Sequence, residues 1–375
     1  MVKVVSSLLA ISATLSVALA IVCPEYKALD PGEYPSLDCV PYTQDPQVQT
    51  WLKLVDMTKV PVYPQSNATA GCPDLATIDP NRCWWTCQKC EAPTDITTCP
   101  TTGTWGLTYD DGPSEDSIRL YDYLLAKKQK ATLFVVGSRV ISRKEILQRA
   151  YKEGHHIAIH TWSHSAMTSL TNEQIVAELK WTEKAIFDAI GVTPLYWRPP
   201  YGDVDNRVRA IATQLGYKTA IWTQDFDTDD WHIPDSATPQ SVVDTFKSWL
   251  VKIPTMQTGF IVLEHDLLPA EVNVSITGIL PIAYGTPGLT IVPIAQCRGD
   301  AAPYKEGAGT FVLTGPATPQ PSVSGTVPAG PGASATGTGH TGGPTIISNG
   351  AIYLTAASTP LSLIVAAVAF ISNAL

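Results

Sequence analysis

Two neighbouring carboxylates and a spaced pair of histidines are the residues of this 375-residue chain best suited to chemistry. Asp110 and Asp111 follow a short apolar run, and His160 and His164 lie four positions apart further along the chain. Adjacent carboxylates repel each other, so a fold seldom places two together without a cation or a chemical task. Two histidines four apart lie on one face of a helical turn and can bind one metal ion. One carboxylate and two imidazoles leave room for water, and the second carboxylate is free to act as a base. The pattern therefore predicts a metal-assisted hydrolase.

The elements that must position these residues are visible as apolar runs that alternate with helical stretches. Seven runs read as strands, which predicts a parallel sheet that is closed or nearly closed into a barrel. Ser114, Thr171 and Thr238 are predicted to begin helices, and Gly191 is predicted to end one. The predicted strands are Trp105–Tyr109, Thr132–Val136, His156–Ile159, Leu195–Trp197, Thr219–Trp222, Phe260–Leu263 and Thr290–Val292.

Polar groups follow five of the predicted strands, at their carboxyl ends, where α/β barrels keep their active sites. Five segments that converge on one rim are a far more specific pattern than a lone histidine pair. Within this set, Asp225, Asp227 and Asp229 are expected to form a solvated acidic loop, and His155 and His156, before the third strand, are expected to be structural. The rim groups are Asp110 and Asp111, His160 and His164, Arg198 to Gly202, Asp225 to Trp231, and Glu264 to Asp266.

The two ends of the chain carry targeting features. Residues 1–20 have a basic start, an apolar core and a small-residue cleavage site, which indicates a secretory signal peptide; the alternative is a membrane anchor. Asn349 begins a triplet of small residues, followed by a spacer and the uncharged apolar tail Leu361–Leu375. This order predicts a GPI anchor attached at Asn349, with Ser348 as the next choice and residues 350–375 removed; the alternative is a transmembrane helix. The expected location is therefore outside the cell, on the outer face of the plasma membrane and in the cell wall.

All eight cysteines follow the signal peptide, and an even number in an exported chain predicts disulfides. The spacing of Cys83, Cys87 and Cys90 would also suit zinc, but an oxidising compartment disfavours that interpretation. Pairing does not follow from spacing, although a Cys99–Cys297 bridge would tie together the two ends of the catalytic region. Residues 21–100 are predicted to be an irregular, disulfide-rich segment and residues 101–298 the catalytic domain.

Residues 299–349 are assigned to a disordered stalk, because the chain from about 315 onward consists of Pro, Gly, Ser and Thr and cannot bury enough apolar surface to fold. Asn67 and Asn273 begin N-glycosylation sequons. The formal net charge of −9 argues against nucleic acid and polyanionic partners, and the chain is expected to be a monomer. Trp84 and Trp85 are expected to pack against disulfides rather than to stack on sugar.

Over residues 101–295 the chain resembles the polysaccharide deacetylases with a NodB homology domain, carbohydrate esterase family 4. That resemblance implies a distorted (β/α)7-type barrel, and the signal peptide, Cys-rich lead and GPI tail look most like those of fungal chitin deacetylases. The five motifs that carry it are Thr108-Tyr-Asp-Asp-Gly112, His160-Thr-Trp-Ser-His164, Arg198-Pro-Pro-Tyr-Gly202, Asp227-Thr-Asp-Asp-Trp231 and Leu263-Glu-His265.

The resemblance also implies the roles of the rim residues. Asp111, His160 and His164 would hold one divalent ion, zinc or cobalt. Asp110 would be the general base and His265 the general acid of amide hydrolysis.

Five further residues would support this chemistry. Arg198 would keep Asp110 ionised, and Asp230 would orient His265 and raise its pKa. The backbone N–H of Tyr201 would stabilise the oxyanion, while Trp231 and Leu263 would enclose the acetyl group.

The expected activity is hydrolysis of the N-acetyl groups of chitin or chitin oligomers in the cell wall, which yields chitosan and acetate. The motifs alone leave two alternatives in the same class, an acetylxylan esterase and a deacetylase of another N-acetylhexosamine polymer. A wall-binding protein on an inactive catalytic domain is the alternative from another class. It would be marked by the loss of a ligand, base or acid, and none of these is lost.

Overall fold

The computed structural model describes residues 23–67 and 71–311. The predicted signal peptide, most of the predicted stalk, Asn349 and the apolar tail all lie outside these residues. Among the helices within them, none combines the length and the apolar character needed to cross a bilayer.

Strands in the described part of the chain form two parallel sheets. One sheet has the order β7-β1-β8 and the other the order β2-β3-β4-β5-β6. The strands are β1 Thr104–Gly106, β2 Thr108–Asp110, β3 Thr132–Val135, β4 His156–Ile159, β5 Tyr196–Trp197, β6 Lys218–Thr219, β7 Phe260–Ile261 and β8 Thr290–Val292.

The first predicted strand is divided between the two sheets. Its first half, β1, pairs with β7 and β8, and its second half, β2, pairs with β3. Leu107 lies at the change-over: its N–H donates to Val292 O at 2.9 Å, while its carbonyl accepts from Thr132 N at 2.9 Å. One extended segment therefore belongs to both sheets, which an apolar run alone does not reveal.

The barrel closes through the residues that follow the short strands. Asp110 pairs with His265, and Asp227 pairs with Leu263, both in parallel register. The extension of β7 thus joins β2 on one side and the segment after β6 on the other. The predicted closed or nearly closed parallel barrel is confirmed, and the closure places Asp110 beside His265 at the carboxyl rim.

Helices surround this barrel and mostly begin where their caps predict. The Thr171 capping box, the left-handed Gly191 at φ 74° and the start at Thr238 are confirmed. Ser114 was expected at the start of α3, but the helix begins at Ser117, because Ser114 Oγ accepts from the N–H groups of Asp116 and Ser117 in a turn that precedes it. The helices are α1 Pro46–Leu52, α2 Trp85–Gln88, α3 Ser117–Ala126, α4 Gly137–Ser142, α5 Lys144–Lys152, α6 Asn172–Ile190, α7 Asn206–Gln214, α8 Pro239–Leu250, α9 Pro269–Val274, α10 Leu280–Tyr284 and α11 Ile294–Cys297.

The N-terminal segment is held by disulfides and packs on the barrel. All eight cysteines are paired, as Cys23–Cys39, Cys72–Cys87, Cys83–Cys90 and Cys99–Cys297, which excludes the zinc interpretation of the cysteine cluster. Trp84 and Trp85 are buried, as expected of residues that pack rather than stack on a ligand.

The catalytic unit extends beyond the boundary expected at residue 298. Tyr304 and Phe311 are buried in the main core, and the Tyr304 hydroxyl accepts a hydrogen bond from Ile157 N at 2.8 Å. Residues 299–311 therefore pack on the barrel and do not belong to a disordered stalk. Two isolated aromatic residues in a Gly- and Pro-rich stretch give little periodicity from which to predict this.

Candidate active site

Asp111, His160 and His164 converge at the carboxyl rim of the barrel. One potential ligand atom from each lies within 4.8 Å of the others. Asp111 Oδ1 is 2.9 Å from His164 Nε2 and 3.4 Å from His160 Nε2. The predicted helical turn between the histidines is wrong: residues 160–164 form a loop. Left-handed backbone at Thr161, φ 65°, and His164, φ 58°, turns both side chains to the same point instead.

The residues present fit a divalent ion. Asp111 Oδ1 is buried and accepts no hydrogen bond from the described residues, although two imidazole nitrogens face it. His160 Nδ1 donates to Arg198 O at 2.8 Å, which fixes the tautomer that leaves Nε2 with a free lone pair. Burial alone would raise the pKa of Asp111, but His164 and His160 hold it well below its usual value. An ionised carboxylate and two nitrogen lone pairs that meet at one point are the donor set of a zinc-type site.

Asp110 is the second carboxylate of the pair and faces a buried cation. Arg198 Nη1 donates to Asp110 Oδ1 at 2.8 Å and to Thr108 Oγ1 at 2.9 Å. Both charged side chains are almost fully buried, and the guanidinium lies over the Phe134 ring at 4.3 Å. The buried guanidinium therefore offsets the charge of the Asp110 carboxylate and fixes its position at the rim.

His265 is held by Asp230 through two hydrogen bonds. Its Nδ1–H donates to Asp230 Oδ1 at 2.7 Å, and its backbone N–H donates to Asp230 Oδ2 at 2.9 Å. Burial alone would lower the pKa of His265, but the Asp230 carboxylate in contact raises it well above its usual value. The protonated ring directs Nε2–H away from Asp230. Since Asp110 is the strand partner of His265, a proton acceptor and a proton donor stand side by side on the rim.

The remaining predicted site residues surround this centre. Tyr201 is 60% exposed, has φ 60° and places its hydroxyl 3.2 Å from His164 Nδ1. Leu263 is buried, and Trp231 is half exposed. In the acidic loop Asp225 and Asp229 are exposed as expected, but Asp227 is partly buried and accepts from Asp229 N at 2.9 Å.

The two predicted glycosylation positions are both exposed. Asn67 lies at the edge of the described residues, with Thr69 of its sequon outside them. Asn273 lies on α9, and Ser275 of its sequon is buried against Tyr109.

Two residues that support the predicted metal ligands were not predicted from the sequence. Arg139 of α4 donates to Asp111 O at 2.7 Å and so holds the backbone of a predicted metal ligand. Glu178 of α6 is fully buried and accepts from Trp162 N at 2.7 Å and from Ser163 N at 2.9 Å, between the two histidines. Burial raises the pKa of Glu178 to about 7, opposed by these hydrogen bonds. A glutamate on the apolar face of a predicted helix was the pattern that could have revealed it.

Comparison with known proteins agrees with this geometry. Residues 97–220 match the family profile described as polysaccharide deacetylase. Chitin deacetylase 1 of Cryptococcus neoformans var. grubii is 48% identical over 78% of this chain and 64% of that protein. Chitin deacetylase 2 of Saccharomyces cerevisiae is 34% identical over 65% of this chain and 71% of that protein. The solved chitin deacetylase of Colletotrichum lindemuthianum superposes with a TM-score of 0.52 and 28% identity, over 56% of this chain and 95% of that one.

These matches are partial in length. They cover 64, 55 and 52% of three of the fungal relatives, so the chain spans between one half and two thirds of the length of those proteins.

Proposed function

Because this chain belongs to the polysaccharide deacetylase family, we propose that it hydrolyses the N-acetyl groups of chitin and releases acetate and a free amine. The observation that carries the proposal is the arrangement of one rim: Asp111, His160 and His164 meet at one point, beside the strand partners Asp110 and His265. An ion site, a base and an acid within one pocket are what hydrolysis of an unactivated amide requires.

In this proposal Asp111, His160 and His164 hold a zinc or cobalt ion. When bound, the ion supplies Lewis-acid polarisation of the acetamide carbonyl and a lowered pKa for water. Asp110 accepts the proton of the attacking water, which Arg198 supports by keeping the carboxylate ionised. The backbone N–H of Tyr201 donates to the oxygen on which negative charge develops.

Collapse of the tetrahedral intermediate breaks the C–N bond, and His265 gives its proton to the leaving nitrogen. Asp230 supports this step, because its carboxylate stabilises the imidazolium and fixes the ring. One water is consumed, and one amine and one acetate are formed. Trp231 and Leu263 enclose the acetyl methyl group.

The cellular setting is also part of the proposal. Four disulfides support export to an oxidising compartment. We place residues 1–20 in a signal peptide, the GPI attachment at Asn349 and an N-glycan at Asn273. The stalk after residue 311 would then hold the monomeric catalytic unit near cell-wall chitin.

Acetate release from N-acetylglucosamine oligomers and from acetylated xylan, measured side by side with metal-loaded enzyme, tests the function. We expect release from the chitin oligomers, loss of activity after exhaustive chelation and recovery with zinc or cobalt. Faster release from xylan would favour the esterase alternative. Binding to chitin without any acetate release would favour the wall-binding alternative.

A further inference from the structure

A groove leads from the metal-binding residues to the disulfide-bonded N-terminal segment. Its cavity volume is about 610 Å³, and it is lined by His164, Ser165 and Tyr201 on the barrel side and by Trp84, Thr86 and Cys87 on the other. Ligand sites have volumes of roughly 300–1,000 Å³. An acetyl group would fill a small part of this space, so the groove has room for a much larger piece of substrate.

The outer wall of the groove lies outside the part of the chain that matches the family profile, since it comes from residues before 97. It is fixed to the turn that carries Tyr201. Trp84 Nε1 donates to Asp203 Oδ1 at 2.6 Å, and Trp85 N donates to Val204 O at 3.0 Å. Asp203 also accepts from Thr168 N at 2.8 Å, which adds the end of the histidine loop to the same cluster.

Close packing and disulfides make this wall rigid. A Cβ atom on Gly202 would lie 2.5 Å from the Trp85 ring, so the turn and the wall are in direct contact. Cys87 is bonded to Cys72, and Cys83 is bonded to Cys90, on both sides of Thr86. A rigid wall loses little conformational entropy when it binds a ligand.

The chemistry of the lining selects an uncharged ligand with apolar faces and hydroxyl groups. Asp203 is the only carboxylate among the described residues of the groove, and its oxygens already accept from Trp84 and Thr168; no lysine or arginine lines it. The exposed Tyr201 ring stands at the metal end, 4.7 Å from the His164 ring, where an apolar sugar face can stack. Hydroxyl groups of Thr86 and Ser165 line the groove beyond it.

We infer that the disulfide-bonded segment around Thr86 is a specificity-determining wall, which contacts sugar units beyond the one adjacent to the acetylated unit and so makes the enzyme prefer a long polymer. The inference rests on the proposed function and adds to it a set of residues that recognise the polymer. Thr86 would contact these more distant units, and the hydrogen bond from Trp84 to Asp203 would fix the position of the wall relative to Tyr201.

Thr86→Trp, which fills the groove, tests the inference in the metal-loaded full chain. We expect KM for a chitin hexamer to rise by about tenfold, which corresponds to about 1.4 kcal/mol. Metal content should stay unchanged, and kcat and KM for the dimer should change much less than the hexamer KM, because Thr86 contacts the turn that carries Tyr201 and is not itself a metal ligand, base or acid. Thr50→Trp is the matched control: Thr50 is an exposed residue of α1 in the same N-terminal segment, does not line the groove, and should leave both KM values unchanged.

Hydrogen–deuterium exchange provides a second measurement that does not depend on the folding of a tryptophan variant. In metal-loaded Asp110→Asn enzyme, the hexamer should protect the peptide that contains residues 83–90, and the dimer should not. An unchanged hexamer KM in Thr86→Trp, or equal protection by hexamer and dimer, would overturn the inference while leaving the deacetylase function intact. If the wild-type enzyme released no acetate from either oligomer, the proposed function itself would fail.

Discussion

The two ends of strand β4 carry histidines with opposite environments. His156, the first residue of β4, is fully buried between the Tyr196 and Tyr304 rings and is hydrogen-bonded to Thr132 Oγ1 at 3.0 Å. His160, the residue after β4, points to Asp111 at the carboxyl rim. Three residues of one strand, 157–159, thus separate a histidine that is part of the core from one that belongs to the metal site.

This contrast shows that position on the barrel, rather than residue type, decides which histidine is available for chemistry. At the amino end of β4, burial lowers the pKa of His156 to about 3 and keeps the ring neutral. At the carboxyl end, loops leave a pocket in which polar groups can face one another. Variants that carry the same substitution at the two ends of β4 can therefore separate effects on catalysis from effects on stability.

The largest difference is expected between His160→Gln and His156→Gln. His160→Gln should bind less metal and lose at least about 10³-fold in activity, because the reaction is deprived of several kcal/mol of Lewis-acid stabilisation. His156→Gln should retain about one ion per chain and nearly normal kcat. Metal analysis and acetate release check both, and comparable metal loss in the two variants would contradict the assignment of the rim.

Removal of the acid or base should give the next largest effect. Asp110→Asn and His265→Ala should each lower the rate on the amide by about 10²–10⁴-fold while metal stays bound. His265→Ala should harm hydrolysis of an activated acetate ester much less, since that leaving group needs no proton. An equal loss on amide and activated ester would show that His265 shapes the pocket and does not act as the acid.

The same contrast explains which parts of the structure were predictable from sequence. Motifs at the ends of apolar runs located Asp110, Asp111, His160 and His265, because short strands in a parallel barrel fix where their next residue must lie. The loop from 160 to 164 was not predictable as a loop, since its left-handed residues are not glycines. Local preference there is overridden by the hydrogen bonds that Glu178 accepts.

Contacts between segments that are distant in sequence could not be predicted either. The split of the first predicted strand depends on which neighbours β1 and β2 find in space, and the Trp84–Asp203 hydrogen bond joins residues that are 119 positions apart. The Cys99–Cys297 bridge joins two cysteines that flank the catalytic region, which suggested this pairing without establishing it, and spacing could not distinguish among pairings of the other six.

Glu178→Gln should have an intermediate effect that is confined to the rim. The N–H groups of Trp162 and Ser163 both donate to Glu178 Oε2, and the Ser163 hydroxyl donates to Oε1. Gln has one acceptor oxygen, so its NH2 group must replace one of these two acceptors, and the histidine loop loosens. We expect the metal dissociation constant to rise by about 10–100-fold, as for other residues that orient metal ligands. Competition with a chelator of known affinity measures it.

Glu183→Gln is the matched control for that variant. Glu183 lies on the same helix as Glu178. It accepts from the Tyr217 hydroxyl at 2.6 Å and from Lys180, and neither partner belongs to the histidine loop. Its loss should lower thermal stability without changing metal affinity. Equal changes of metal affinity in the two variants would mean that α6 supports the site only as a whole helix.

The smallest effect on activity, and a clear one on stability, is expected from the pH dependence of His156→Gln. Burial, with a smaller contribution from Lys218 that Asp300 opposes, keeps His156 neutral in the folded state down to a pKa of about 3. The unfolded chain takes up a proton near pH 6.5, so this histidine destabilises the fold as pH falls from 6.5 towards 3.

Glu178 and Glu271, whose pKa values are raised by burial to about 7, act in the opposite direction and weaken the fold as pH rises from about 4.5 to 7. The two carboxyl groups contribute equally to wild type and to His156→Gln, so their contribution cancels when the unfolding free energies of the two proteins are subtracted. Below pH 6.5 the unfolding free energy of the wild type should fall relative to that of His156→Gln by up to about 1.4 kcal/mol for each pH unit. Urea unfolding at several pH values measures this difference. A difference that does not vary with pH would mean that His156 is protonated in the folded protein, and the contrast between the two ends of β4 would then be one of geometry alone.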